Sequence, residues 1–164
     1  MKISKRAQSM PQSPIRKLAK YAEAAHRNGI HIYSLNIGQP DLPTPQEGLD
    51  ALKKIDRKVL EYSPSDGYLS LREKLVGYYD QYQIKLTPDD IIITTGGSEA
   101  VLFSFLACLN PGDEIIMPDP FYANYQAFAI SAGAVIRTIP TTIEEGFCLP
   151  KVERFEELIN ERTK

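Results

Sequence analysis

Between Asp89 and Phe105 an isoleucine run gives way to paired glycines and then to an apolar segment with helical spacing. Ile91 to Thr95 reads as a buried strand, Gly96-Gly97 as a turn, and Ser98 as the residue that opens a helix. Such a turn aims free backbone N–H groups and the positive pole of the helix at one place, which suits a phosphate. Glycine lets the backbone approach closely, and Ser98 can cap the helix while offering its hydroxyl to the same anion. An ordinary strand-to-helix turn with a serine cap has the same local sequence. Neither a GxGxxG fingerprint nor a Gly-Lys-Ser/Thr loop follows the strand, so this is not the dinucleotide motif or a P-loop.

The alternation of strand and helix continues on both sides. Residues 1–12 read as a flexible arm. Ser13-Pro14 is an N-cap followed by proline at the first helical position, and Gly29 is a fitting stop. A helix is therefore predicted over 14–28, with Ile15, Leu18, Ala22 and Ala25 on its apolar face. Ile32 to Ile37 reads as a short strand that ends in the Gly38-Gln39-Pro40-Asp41 loop. Thr44-Pro45-Gln46-Glu47 has the form of a capping box, and Leu49, Leu52 and Ile55 continue its helix. The polar loop from Tyr62 to Gly67 leads into a helix marked by Leu71, Leu75, Tyr78 and Tyr82. The helix over 98–109 is apolar nearly all round, which predicts burial on several sides. Asn110-Pro-Gly-Asp113 stops it. Strands follow at Glu114 to Met117 and Ala134 to Ile139, with a helix over Phe121 to Ala132 between them. Val152, Phe155, Leu158 and Ile159 mark a last amphipathic helix. Strands alternating with helices predict an α/β architecture with parallel strands.

Composition narrows the function classes. With 164 residues, 43% of them hydrophobic and 24% charged, the chain suits one globular domain or a part of something larger. A net charge of −2 without a basic stripe argues against nucleic acid as a partner. No apolar run reaches membrane-spanning length, and the basic N-terminus lacks the apolar segment of a secretory signal. Cys108 and Cys148 fit a reducing cytoplasm better than a disulfide framework. His26 and His31 have no Cys or carboxylate at ligand spacing, so no metal site is expected.

Five segments, in order, resemble the N-terminal part of the class I/II aminotransferases, the pyridoxal-phosphate enzymes of the aspartate aminotransferase fold. They are Leu35-Asn-Ile-Gly-Gln-Pro-Asp41, Tyr62-x4-Gly67-x3-Leu71-Arg72, Thr94-Thr-Gly-Gly-Ser-Glu-Ala100, Asn110-Pro-Gly-Asp-Glu114 and Pro118-Asp-Pro-Phe-Tyr122-x2-Tyr125. The resemblance implies a three-layer α/β/α sandwich of the pyridoxal-phosphate transferase type (fold type I), here only its N-terminal part. Residues 1–45 would form an arm and the start of a small domain, and 46–164 an incomplete cofactor-binding large domain. It implies pyridoxal 5′-phosphate as cofactor, an amino acid and a 2-oxo acid as substrates, aspartate as the first choice of donor, and a homodimer. Gly96, Gly97 and Ser98 would hold the cofactor phosphate, and Tyr122 would stack on the pyridine ring. Tyr62 would reach the phosphate bound in the neighbouring subunit. Gly38 would offer its N–H to the substrate carboxylate, and Ile15 would close over the mouth of the site. Without the resemblance, Tyr122 reads as a half-buried helix aromatic, Tyr62 as a surface tyrosine and Gly38 as a turn glycine. Ile15 reads as a core position on its helix, and for that residue the plainer reading is preferred.

The chemistry implied also needs a lysine that bonds the cofactor, a carboxylate at the pyridinium nitrogen and an arginine for the substrate carboxylate. In the family these lie beyond the part that this chain resembles. None of its own lysines sits in a suitable context: Lys17, Lys20, Lys53, Lys54, Lys58 and Lys74 read as solvated helix faces. The expectation is a fragment that is inactive and marginally folded by itself, with unpaired strand edges and uncovered apolar helix faces. Two alternatives share the cofactor or the fold: a pyridoxal-phosphate lyase or synthase, and a non-enzymatic regulator that senses a ligand. The regulator is expected to carry a DNA-binding module ahead of the fold, for which residues 1–13 leave no room.

Overall fold

The computed structural model describes residues 2–11, 13 and 16–164. In chain order its elements are α1 (Lys5–Ser9), α2 (Ala19–Arg27), α3 (Gln46–Lys53), α4 (Leu69–Asp80), a 3₁₀ turn (Pro88–Asp90), α5 (Gly97–Cys108), β1 (Glu114–Asp119), α6 (Asn124–Ala132), β2 (Val135–Pro140) and α7 (Val152–Glu156). They fall into two compact units. One comprises Met1–Gly29 with Thr95–Lys164, the other Ile30–Thr94.

In the first unit β1 and β2 run parallel, from Glu114 opposite Val135 to Asp119 opposite Pro140. Parallel strands cannot be joined by a tight hairpin, and α6 supplies the crossover. Gly133 ends α6 at φ 77°, a left-handed conformation that favours glycine. Its carbonyl then accepts from the Gly112 N–H at 2.9 Å, and the Val135 N–H donates to the Asp113 carbonyl at 2.9 Å, so both strands start level. Ala129, Ala132, Ile139 and Leu109 form the buried apolar centre of this unit. Helix α5 packs on α6.

One charge is buried here. Glu114, at the start of β1, is 3% exposed. Burying a carboxylate is costly unless it is paired and hydrogen-bonded, and Glu114 is both. Arg162 donates to its Oε1 from Nε at 2.8 Å and Nη2 at 2.6 Å, and the Asn160 amide donates to Oε2 at 2.9 Å. Arg137 on β2 lies 3.7 Å from Oε2. The Asn160 amide first, and then the Arg162 guanidinium, hold this carboxyl below its ordinary range. The backbone follows the side chains. The Glu114 N–H donates to the Arg162 carbonyl at 2.8 Å, and the Lys164 N–H to the Glu114 carbonyl at 3.1 Å. Thr163 thereby pairs in parallel with Glu114, on the edge of β1 away from β2.

The second unit is organised around Arg72, 7% exposed on α4. Its Nη2 pairs with Asp66 at 2.7 Å and its Nη1 lies 3.6 Å from Asp89. Its Nε donates to the Gly67 carbonyl at 3.3 Å and Nη1 to the Pro88 carbonyl at 2.7 Å. The Ile93 N–H donates to the Asp66 carbonyl at 3.0 Å. Gly67 sits at φ 93°, and a Cβ there would lie 2.5 Å from the Ile93 Cβ.

Several sequence expectations are corrected. The strands expected at Ile32 to Ile37 and Ile91 to Thr95 do not form. Ile91 has extended backbone, with φ −121° and ψ 125°, and is buried, but the Ile93 N–H bonds a loop carbonyl instead of a ladder. Only Ile91 of the run is buried, Ile92 being 69% exposed, and a strand also needs a neighbour to pair with. The predicted 14–28 helix is regular only over Ala19–Arg27; Pro14 and Ile15 lie outside the described residues, and Gly29 at φ 72° follows its end. The capping box at Thr44 does not form. Helix α3 starts a residue later with Pro45 at its N-cap, and the Gln46 side chain donates to Asp50 at 2.8 Å. A capping box forms instead at Thr87 and Asp90. Helix α6 begins at Asn124, so Tyr122 lies in the turn before it. Helix α5 is not buried on several sides, since Phe103 is 51% and Leu106 53% exposed. Uncovered apolar helix faces were expected, and they are present.

Replacing Gly67 with alanine should destabilise the intact protein by about 1–3 kcal/mol from overlap with Ile93, with about 1–2 kcal/mol more from the left-handed backbone. A denaturant midpoint equal to the wild type's would contradict this. Glu114 sets a pH dependence. Its folded pKa is lowered, so its contribution is complete above the ordinary glutamate value of about 4.3 and is lost as pH falls through the folded value. Hydrogen-exchange protection at Glu114 and Lys164 should fall in that acidic window, and in Glu114→Gln should be low and flat across it. Protection that ignores both pH and the substitution would refute the role given to this carboxylate.

Candidate functional site

The first turn of α5 departs from the expected form in one respect. The N-cap is Gly96, at φ 80° and ψ 170°, and Ser98 is the second helical residue. The left-handed φ of Gly96 starts the helix before the serine is reached, so Ser98 cannot cap it. The Ala100 N–H closes the first turn onto the Gly96 carbonyl at 3.4 Å. The N–H groups of Gly97 and Ser98 precede that bond and have no acceptor within the helix. The Glu99 N–H precedes it as well, and the Glu99 side chain reaches back to accept from the Thr95 N–H at 2.5 Å, a donor outside the helix.

The two glycines serve different needs. Gly96 needs its freedom for a positive φ. Gly97 has helical backbone, and a Cβ built on it would meet no atom within 4 Å. Neither conformation nor packing of this chain requires glycine at 97. What its missing side chain preserves is open space beside backbone donors at a helix's positive pole. That arrangement fits a phosphate ester, which takes several N–H donors at close range.

Tyr122 belongs to the same unit. Its ring stands edge-on to Tyr125, with centroids 5.6 Å apart at 87°, and its hydroxyl accepts from the Asn124 amide at 2.8 Å. Two neighbours therefore orient a ring that is 49% exposed. Gly38 and Tyr62 belong to the other unit. Gly38 has no positive φ, and a Cβ there would meet nothing within 4 Å. Tyr62 is fully exposed. Ile15, named for the mouth of the site, lies outside the described residues. A cleft of about 360 Å³ opens where β2 ends, lined by Ile139, Cys148, Leu149, Lys151 and Arg154 among others. It includes none of the residues above, and an open cleft with Arg154 already paired to Glu157 at 3.3 Å offers no comparable set of donors. The sequence motifs contain Arg72 and Glu99 but give neither a role. An arginine directly after Leu71 in the helix was one available signal for the former. A glutamate in the first turn was the signal for the latter.

Comparison with known proteins shows the family. The family profile for aminotransferase class I and II matches residues 30–164. The chain belongs to that family, whose members depend on pyridoxal phosphate. An aspartate/prephenate aminotransferase of Thermus thermophilus is 33% identical over 164 residues, covering 99% of this chain and 42% of the relative. A probable N-acetyl-LL-diaminopimelate aminotransferase of Bacillus subtilis is 40% identical over 151 residues, covering 90% and 37%. The crystal structure of an aspartate aminotransferase from Thermotoga maritima superposes with a TM-score of 0.90 at 29% identity, covering 99% of this chain and 44% of that one. The fold is thus that of fold type I aminotransferases, and the chain spans less than half the length of the relatives it matches.

Gly96 and Gly97 should respond differently to alanine. Gly96→Ala should lose about 1–2 kcal/mol of stability. Gly97→Ala should be neutral or stabilising by about 0.4–1 kcal/mol while weakening binding of pyridoxal 5′-phosphate to the intact protein. Thermal melts and a cofactor titration on both variants test the pair. Unchanged cofactor affinity in Gly97→Ala would remove the cradle.

Proposed function

We propose that this chain is the phosphate-holding part of a pyridoxal-phosphate-dependent aminotransferase, cytoplasmic and homodimeric, that moves an amino group between an amino acid and a 2-oxo acid. The observation that carries the reading is the start of α5, where two N–H groups stand beside space kept clear by Gly97, in a chain of this family. Aspartate is the first donor to consider. Similar proteins include aspartate/prephenate and aspartate aminotransferases, which supports that choice.

When bound, the cofactor supplies an electron-withdrawing ring that eases loss of the amino acid's α-proton. The residues here would serve to bind and orient it. The Gly97 and Ser98 N–H groups and the Ser98 hydroxyl would hold the phosphate, fixing the molecule by a dianion remote from the reacting atoms. Tyr122, held by Tyr125 and Asn124, would lie against the ring face and keep its tilt constant. Tyr62 would contact the phosphate held by the partner subunit; its complete exposure supports a role toward a group outside its own chain. Gly38 would present its N–H to the substrate carboxylate, and Ile15 would close over the mouth.

The intact protein, loaded with pyridoxal phosphate and given aspartate without acceptor, should convert the cofactor to its amino form. Adding 2-oxoglutarate should then restore the aldehyde form. A lyase would release product without accumulating the amino form. Failure of every amino acid in a donor panel to produce it would overturn the reading.

A further inference from the structure

We propose that Glu99 is a positioning residue for the phosphate turn, a step that rests on the cofactor reading above and lies wholly within the unit that holds α5. Glu99 is the third residue of α5, and its carboxylate accepts from the Thr95 N–H at 2.5 Å, across the N-cap Gly96. Asp90 and Asp113 make backward bonds of the same kind to the N–H groups of Thr87 and Asn110, each at 2.7 Å and each over three residues. Glutamate carries one methylene more, and here it spans four. Its bond therefore closes a ring of chain whose interior residues are Gly96, Gly97 and Ser98, the three proposed to hold the phosphate.

Such a closure matters because the enclosed arc lies on the surface. Thr95, Gly96, Gly97 and Ser98 are all exposed, and a Cβ built on either glycine would meet no atom within 4 Å. Adjacent glycines also have the most conformational freedom to lose when a ligand orders them. A tie made before the ligand arrives lowers that cost, and preorganisation of this kind appears as affinity. The charge of Glu99 works in the opposite sense. A carboxylate beside the arc repels a phosphate dianion, so as a charge alone Glu99 would disfavour the ester. What favours binding is the bond, which an uncharged amide oxygen also accepts. Bond and charge are therefore separable: Glu99→Gln keeps the acceptor and drops the charge, and Glu99→Ala drops both. Each variant also loses whatever the carboxylate gives to the helix's positive pole, so comparing the two isolates the bond.

The test titrates wild type, Glu99→Gln and Glu99→Ala, in the intact protein, separately with pyridoxal 5′-phosphate and with pyridoxal, which lacks the ester. The readout is the ratio of the two affinities, because a merely structural role would weaken both ligands alike. In Glu99→Gln the ratio should equal or exceed the wild-type value. In Glu99→Ala it should fall about three- to tenfold below that of Glu99→Gln, the net worth of one hydrogen bond. Without ligand, the Thr95 amide should exchange with deuterium faster in Glu99→Ala than in the other two proteins. A ratio no higher in Glu99→Gln than in Glu99→Ala overturns the positioning role and leaves the cofactor reading standing, and so does Thr95 exchange that is the same in all three. A wild-type protein that binds the two ligands equally would instead overturn the cofactor reading itself, and the inference with it.

Discussion

Backbone donors at a helix start can hold a phosphate only if they are aimed at one point and nothing fills the space they face. The head of α5, the proposed phosphate site, carries adjacent glycines that are not interchangeable. Gly96 takes a left-handed φ of 80° and turns the chain into the helix. Gly97 takes ordinary helical backbone and contributes by lacking a side chain where no protein atom stands. Glu99 supports the turn by accepting from the Thr95 N–H, while the N–H groups of Gly97, Ser98 and Glu99 have no acceptor within the helix. The proposed site is thus made largely of backbone.

Each compact unit solves its largest electrostatic problem with an arginine. In the first, Glu114 is buried at the start of β1, and Arg162 binds it bidentately while residues 162–164 pair alongside. In the second, Arg72 is the buried group, and it gathers two loops. Both contacts join segments far apart in sequence, and both act on the ends of elements more than on their middles. The apolar surface tells the complementary story. Helix α5 is apolar all round but is covered by α6 on one side, so that Phe103 and Leu106 stay half exposed. The element carrying the site is therefore held by fewer contacts than its composition would allow.

What the sequence revealed was local. The start of α5 was legible to within a residue because glycines and an apolar run are short-range signals. The stop at Asn110 and the parallel pair β1–β2 were legible for the same reason, with a helix-length crossover between two β-branched runs. Ser98 misled because cap preference is statistical and the left-handed φ of Gly96 pre-empted it. The isoleucines at 91–93 misled because a β-branched run reads as a strand whether or not a partner is present; Ile91 is buried but Ile92 is 69% exposed. Thr44 misled by one residue, while the box that forms, at Thr87 and Asp90, lies on a 3₁₀ turn with no helical periodicity to draw attention to it. Arg72 and Glu114 were illegible as anchors. Their partners Pro88 and Arg162 lie 16 and 48 residues away, and a charged residue taken alone reads as solvated. The pieces of the candidate site came from the family resemblance laid over the residues, since periodicity alone leaves Tyr122, Tyr62 and Gly38 without a role.

The most direct measurement of the central claim is nuclear magnetic resonance of the intact protein labelled with nitrogen-15 at glycine and serine. Adding pyridoxal 5′-phosphate should shift the amides of Gly97 and Ser98 strongly, and pyridoxal, which lacks the ester, should shift them little. If the phosphorylated compound binds while those two amides keep their positions, the anion lies elsewhere and the account of α5 is wrong.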